Sequence, residues 1–459
     1  MTRSKKIVRK TGLKNSESSV RIEKIVNGGF GLARLGDGRI VMVSKVLPGE
    51  LVTIGVLEDK RQYLIARAMA IAEPHPARIS PPCPWYGQCG GCDLQHCDAA
   101  TQLLIKSGVI QDLYQRQFRE TRKLPPDLIR EILPSPAAFG YRQRIRLQVD
   151  SQRRLGFLDF RSHRITPVDS CPVAAQELNS VLAELPRNSA CRNLLGRCRE
   201  LELLLNPKAS TVACLFHIIG KPRPADIRQA EELTGAIPLI ERVFFQGDDF
   251  PLTGPFSARR EQQTNFLQMR LPPLAEGERE LTLQWEVGGF CQVNLRQNER
   301  LIRHVLAVCT PERDESVLDL FCGMGNFSIP LAVRAQSLTG FEGQGAAIRS
   351  ARKNSLDAGL TNTIFEKSPV HEACKGLARE GRTFDCVVVD PPRQGVPGLA
   401  RELALLTRRR LVYISCDPAT LCRDLAELAG QGFAIRHIQP IDMFPQTHHI
   451  ETVVLLEKN

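Results

Sequence analysis

The chain has 459 residues, with 61 Lys+Arg against 50 Asp+Glu and 15 cysteines. That length holds two to four domains with cores of their own, and the net charge of +11 favours a polyanionic partner, nucleic acid first. No apolar run is long enough to span a bilayer and no signal-peptide core lies near the N-terminus, which argues against a membrane protein or a secreted disulfide scaffold. The cysteines are therefore expected to be reduced, metal-binding or catalytic, in a cytoplasmic monomer.

Residues 1–19 read as a basic flexible tail. Residues 1–74 hold 14 basic and 7 acidic side chains, so +7 of the net charge lies in the first sixth of the molecule. From Val20 the text turns to short alternating runs broken by glycine: Val20–Val26, Gly28–Ala33, Arg39–Val43, Glu50–Leu57 and Tyr63–Ala72. Five strands in so short a span predict a small OB-type β-barrel over 20–74. The run GGFGLARLGDGRIVMVSKVLPGELV resembles a TRAM domain, which implies an RNA-binding module.

A proline-rich linker leads to a central α/β unit, 75–286. Cys83, Cys89 and Cys92 stand in a C-x5-C-x2-C arrangement with Gly90 and Gly91 between the last two, a metal-site signature that needs a fourth thiolate. Cys97 is near in sequence, but Cys171, followed by proline, is the better candidate. Zinc and a 4Fe–4S cluster both satisfy four thiolates. Helical periodicity covers 98–118. Arg142, Arg144 and Arg146 then fall at every second position beside Phe139 and Tyr141. On a strand they form a basic stripe suited to RNA phosphates, or a merely solvated face. Residues 175–285 read as mixed α/β and suggest no chemistry.

The last unit, 287–459, alternates apolar strands with helical stretches: Val317–Phe321, Leu338–Glu342, Thr363–Lys367, Cys386–Asp390, Leu411–Ser415, Ala434–Gln439 and Glu451–Leu456. That order predicts a doubly wound sheet closed by an antiparallel hairpin, with its chemistry at the carboxyl ends of the strands. The first strand runs into Gly323-Met324-Gly325, a turn that lets backbone approach a ligand. The second ends at Glu342, where a carboxylate can accept both hydroxyls of a ribose. The fourth ends at Asp390-Pro391-Pro392-Arg393. Together these point to S-adenosylmethionine rather than nicotinamide. The fifth strand delivers Ser415-Cys416-Asp417-Pro418 on a strand-to-helix turn. An ordinary thiol has a pKa of about 8.5, so a nucleophilic Cys416 needs help from its neighbours.

Phe290-x-Gln292-x-Asn294, DLFCGMGNFS, DPPR, SCDPATLCRD and DMFPQTHHIE together resemble the motifs of the RNA 5-methyluridine methyltransferases, nearest the 23S ribosomal RNA enzymes of the RumA type. The resemblance covers nearly the whole chain. It implies a class I methyltransferase fold in the last unit and a 4Fe–4S cluster on Cys83, Cys89, Cys92 and Cys171. It further implies cofactor contacts from Gln292, Phe321, Asn326, Glu342 and Asp390, with Cys416 as nucleophile and Glu451 as base. The implied reaction is methylation of uridine C5 in 23S ribosomal RNA through a Cys416–C6 adduct; a transfer RNA substrate, or a non-catalytic iron–sulfur scaffold, is the alternative. Two positions depart from the family. Asp417 stands where asparagine is usual, and a charge there raises the thiol pKa unless it is paired. Ser368-Pro369 replaces an amide or acid after the third strand.

Overall fold

The computed structural model describes residues 18–119, 127–259 and 264–458; most of the basic tail lies outside them. Among the described residues no helix is long and apolar enough to cross a membrane.

The N-terminal strands form one six-stranded sheet, not five strands. The run expected as a single strand over Val20–Val26 divides into Ser18–Arg21 and Lys24–Val26. The cause is a change of partner: the Ile22 N–H bonds to the Glu50 carbonyl, and the next residue's N–H bonds to Leu32 across the barrel. Alternating side chains, among them Val20, Ala33, Val41, Val43, Val52 and Leu64, fill the interior.

The central unit is a seven-stranded sheet spanning Arg144–Val149 to Phe250–Phe256. In its strand Cys198–Asn206, Leu201, Leu203 and Leu205 face one apolar core, while Glu200, Glu202 and Leu204 face the other way. Register places Glu202 opposite Arg146 and Leu204 opposite Arg144. The expected basic stripe is therefore largely neutralised: Arg144 Nε donates to Glu202 at 2.7 Å and Arg146 Nε to Glu200 at 2.6 Å. Arg142 precedes the strand and turns into the cysteine-lined cavity described below.

The C-terminal sheet comprises β1 (Ser316–Leu320), β2 (Ser337–Glu342), β3 (Thr363–Lys367), β4 (Phe384–Val389), β5 (Thr407–Ser415), β6 (Phe433–Ile441) and β7 (Glu451–Lys458). Their order is β3-β2-β1-β4-β5-β7-β6, parallel from β3 to β5, with β7 antiparallel to both neighbours. All seven expected strands are present. The sheet does not end at β6. Leu128–Leu133 lies along it, with the Ile438 N–H on the Leu128 carbonyl at 2.7 Å and the Asp442 N–H on Leu133 at 2.9 Å. The helix before that segment, Ala99–Gln117, is N-capped by Asp98, whose carboxylate accepts the Thr101 N–H at 2.7 Å. Tyr114 from this helix joins the core beneath β4 and β5. The hairpin of Phe266–Leu271 and Leu281–Glu286 likewise contributes Leu267, Leu283 and Trp285 to a core shared with β1.

Candidate active site and cysteine-lined cavity

Strand register assembles the site. Leu320 is level with Phe341 on β2 and with Val389 on β4. One residue further, Glu342, Phe321 and Asp390 stand in a row across the carboxyl ends of three strands. Phe321 adopts φ +64°, a left-handed conformation that costs a non-glycine residue on the order of 1–3 kcal/mol and turns the chain out of β1. Gly325 follows at φ +87°, where a Cβ would meet Ile329 at 2.9 Å. The turn thus requires glycine there. Asn326 is fixed by a reciprocal pair of hydrogen bonds with Asn298, at 2.8 and 3.0 Å. Asn298 lies in the first turns of helix Leu295–Cys309, which Asn294 caps and which Gln292, buried, precedes.

The row gathers carboxylates that have no cationic partner. Among the described residues, Asp319, Glu342, Asp390 and Glu451 form no ion pair. Asp319, fully buried at the end of β1, accepts from the Ser328 hydroxyl through one oxygen and leaves the other without a partner. Burial pushes Asp319 up to about 7, with the nearby Glu342 carboxylate adding to it. Asp390 is also pushed up to about 7, by burial and by Asp319 and Glu342. Such a group suits a ligand that brings positive charge and hydroxyls. S-adenosylmethionine has both.

Cys416 lies beside this row. Ser415 pairs with Thr452 in the antiparallel β5–β7 ladder, so Cys416 comes opposite Glu451 at the first position beyond it. The thiol is pushed up to about 12, first by burial and then by Glu451 and Asp390; the Arg393 guanidinium pulls it back down. Glu451, buried, is held well above the ordinary carboxylate range by burial, with Asp390 adding to the effect. Asp417 also raises the thiol, less than Glu451 and Asp390 do. Its carboxylate caps helix Pro418–Gly430, accepting the Ala419 and Thr420 N–H groups at 2.9 and 3.0 Å. Its charge is spent largely on the helix N-terminus. Ser368 meets the row through its backbone, donating to the Glu342 carbonyl at 3.1 Å.

The other cysteines converge elsewhere. Cys83, Cys89, Cys92 and Cys171 line one cavity of about 50 Å³ together with Trp85, Tyr86 and Arg142. Cys97 is buried away from that cavity and donates its thiol hydrogen to the Leu94 carbonyl at 3.4 Å. Burial raises Cys89, Cys92 and Cys171, with Cys92 pushed up to about 12. Among the described residues no three His, Cys, Asp or Glu side chains are grouped to hold a single metal ion. The four thiols surround a space without closing on one point.

Comparison with known proteins follows this geometry. The family model described as tRNA (Uracil-5-)-methyltransferase matches residues 259–459, and the TRAM domain model matches 13–69. The Pseudomonas putida protein named 23S rRNA (uracil(1939)-C(5))-methyltransferase RlmD is 34% identical, over 95% of this chain and 92% of its own length. A Vibrio parahaemolyticus protein of the same name is 31% identical over 98% of both chains. This chain belongs to the RNA (uracil-C5-)-methyltransferase family. Among solved structures, the Pyrococcus abyssi tRNA (uracil-54, C5)-methyltransferase with S-adenosyl-L-homocysteine superposes with a TM-score of 0.69 at 25% identity, covering 95% of this chain and all of that one. The methyltransferase is thus an S-adenosylmethionine-dependent enzyme with a TRAM domain at its N-terminus.

Sequence reasoning passed over three features of this uracil-C5 methyltransferase. Asp319 sits inside the quoted DLFCGMGNFS motif, and a carboxylate among Leu318, Leu320 and Phe321 was the available signal. Asn298 lies four residues after Asn294 on a helix face that the motif already marked. The buried pair of Lys106 with Asp442, at 2.5 Å, joins residues 336 apart and left no local trace.

Proposed function

We propose that this methyltransferase forms 5-methyluridine in 23S ribosomal RNA, with Cys416 as covalent nucleophile and Glu451 as general base. The register that sets Cys416 against Glu451, next to the carboxylate row, carries this reading. The near full-length relatives named for 23S ribosomal RNA support the choice of substrate. Asp390, Glu342, Phe321, Asn326 and Gln292 are the residues proposed to hold S-adenosylmethionine, which when bound supplies an electrophilic methyl group. Uracil C5 is a poor nucleophile by itself. Addition of the Cys416 sulfur to C6 converts the ring to an enolate and loads electron density on C5. As sulfur bonds to carbon the thiol proton passes to water, and Arg393 favours the ionised sulfur. Once C5 carries the methyl group, ionised Glu451 removes the C5 proton, the C6–S bond breaks, and Cys416 leaves as thiolate. The target uridine must leave its stack, at a cost of a few kcal/mol that RNA contacts to the TRAM barrel offset.

The same reading assigns a 4Fe–4S cluster to Cys83, Cys89, Cys92 and Cys171. A cavity ringed by four thiols suits a multi-atom inorganic group better than one zinc ion, which would draw its ligands to a single centre. The role proposed for these residues is structural: they join the 83–92 loop to the segment around Cys171. Mass-spectrometric mapping of 5-methyluridine in RNA from a strain lacking the protein tests the substrate. Loss at one 23S site is expected; loss confined to transfer RNA would reject the ribosomal assignment.

A further inference from the structure

The nine residues between β6 and β7, Asp442–Ile450, end on Glu451, and segments far away in sequence hold them on several sides. Lys106, fully buried, donates to Asp442 at 2.5 Å and to the Phe444 carbonyl at 3.0 Å. Gln102, one turn earlier on the same helix, accepts the Gln446 N–H at 3.0 Å and donates to the Gln446 side chain at 3.0 Å. Gln446 is at φ +70°, a conformation that must be imposed from outside. The cysteine loop supplies the rest. Next to Cys92, the Asp93 and Leu94 N–H groups both donate to the Gln446 carbonyl, at 3.1 and 3.0 Å, and the Asp93 carboxylate accepts from His448. Gly29 of the TRAM barrel packs on that same His448; at its φ of +77° a side chain is strained, and a Cβ would press on His448 at 3.0 Å.

These contacts are unevenly placed with respect to the two catalytic groups. All of them fall on the loop that ends at Glu451. The Cys416 turn is held mainly by Asp417 capping its own helix and by Thr420, whose hydroxyl donates to the Arg393 carbonyl at 2.9 Å; it meets the loop through the Arg393 guanidinium, 3.5 Å from His449. We infer that Asp93, Gln102 and Lys106 are positioning residues for the deprotonation step, and that they tie the cysteine-lined cavity to breakdown of the covalent adduct and not to its formation. The inference rests on the assignment of Cys416 and Glu451 above. Displacing Glu451 leaves sulfur addition and methylation of C5 possible but leaves the C5 proton in place, so the C6–S bond persists.

The test uses the full-length enzyme with uridine RNA and S-adenosylmethionine. The variants are Asp93→Ala, Gln102→Leu and the paired Lys106→Met/Asp442→Leu, which strands no buried charge. Each is expected to lower kcat by about 10- to 100-fold with KM for RNA unchanged. Each should also accumulate a denaturant-stable protein–RNA complex that wild type does not, while adduct formation on 5-fluorouridine RNA keeps the wild-type rate. Asp93→Asn, which retains an acceptor for His448, should restore turnover. Equal loss of adduct formation and turnover, or no change in either, overturns the positioning role. Hydrogen exchange in residues 442–450 gives a second readout. It should quicken when iron is chelated from the purified protein, and unchanged protection overturns the link to the cavity. A Cys416→Ala control separates the failures, because adduct in that variant would instead overturn the nucleophile assignment.

Discussion

Cys416 and Cys92 are both pushed up to about 12, chiefly by burial, yet they stand among different neighbours. Around Cys416 the neighbours are three carboxylates and one guanidinium, at or beside the ends of strands whose register is fixed by ladder hydrogen bonds. Around Cys92 they are other thiols, Gln95 and Asp93, on a loop wrapped over a cavity. A raised thiol can be ionised by the electrophile it attacks or by a cationic inorganic group that it ligates. The first requires a carbon atom delivered to one sulfur. The second requires several sulfurs around one space. The two surroundings meet those requirements separately.

Substitutions at the two sites should therefore part company. Cys416→Ala is expected to bring methylation to background and to abolish the 5-fluorouridine RNA adduct. Cys171→Ala should lose iron, measured by metal analysis and by visible absorbance, yet keep that adduct. Glu451→Gln comes next, with turnover down by about 10²–10⁴-fold and adduct accumulating on ordinary uridine RNA. Lys106→Met alone leaves Asp442 buried without its cation. It should cost about 3–5 kcal/mol in urea denaturation, most of it recovered by adding Asp442→Leu.

The pH dependence of stability probes the carboxylates beside Cys416. Asp319, Asp390 and Glu451 are raised in the folded protein, so these three groups bind more protons there than in the unfolded chain up to about pH 7; His96, His304 and His449, lowered by burial, act in the opposite sense below about pH 6.5. Above about pH 6.5 the carboxylates act alone, and stability of the cofactor-free enzyme should fall as pH rises, read as a lower Tm at pH 8 than at pH 6.5. S-adenosylmethionine should flatten the slope. A Tm that rises over this range would show that the carboxylates are compensated in solution. The smallest effect is expected from Asp417→Asn, since asparagine caps a helix about as well as aspartate. Stability should change by less than about 0.5 kcal/mol, with the pH–rate profile of adduct formation moving slightly toward acid.

The catalytic sheet was legible because each strand is an apolar run that stops at a polar or turn residue, and the chemistry gathers at those stops. Glu342, Asp390 and Cys416 could be placed from that pattern, whereas Glu451, which opens β7, came from the family resemblance. What escaped depends on partners distant in the chain. The arginine stripe reads as a phosphate-binding face until Glu200 and Glu202 arrive on the adjoining strand, more than fifty residues later. Arg142 has the same spacing as Arg144 and Arg146, but it precedes the strand and turns toward Cys171. The Lys106–Asp442 pair and the corner at Ile22 are equally non-local. In each case local pattern reports which side a residue faces, and only tertiary pairing reports what it meets.

The lacing of Leu128–Leu133 along β6 bears on whether the catalytic unit is autonomous. A fragment beginning near residue 287 would leave a row of unpaired backbone groups along Phe433–Ile441, an open template for association with other chains. It would also leave Asp442 without Lys106. During synthesis the final strands emerge last and must dock onto a segment made some three hundred residues before. The methyltransferase sheet is thus finished only when its last strands meet a segment from the first third of the chain.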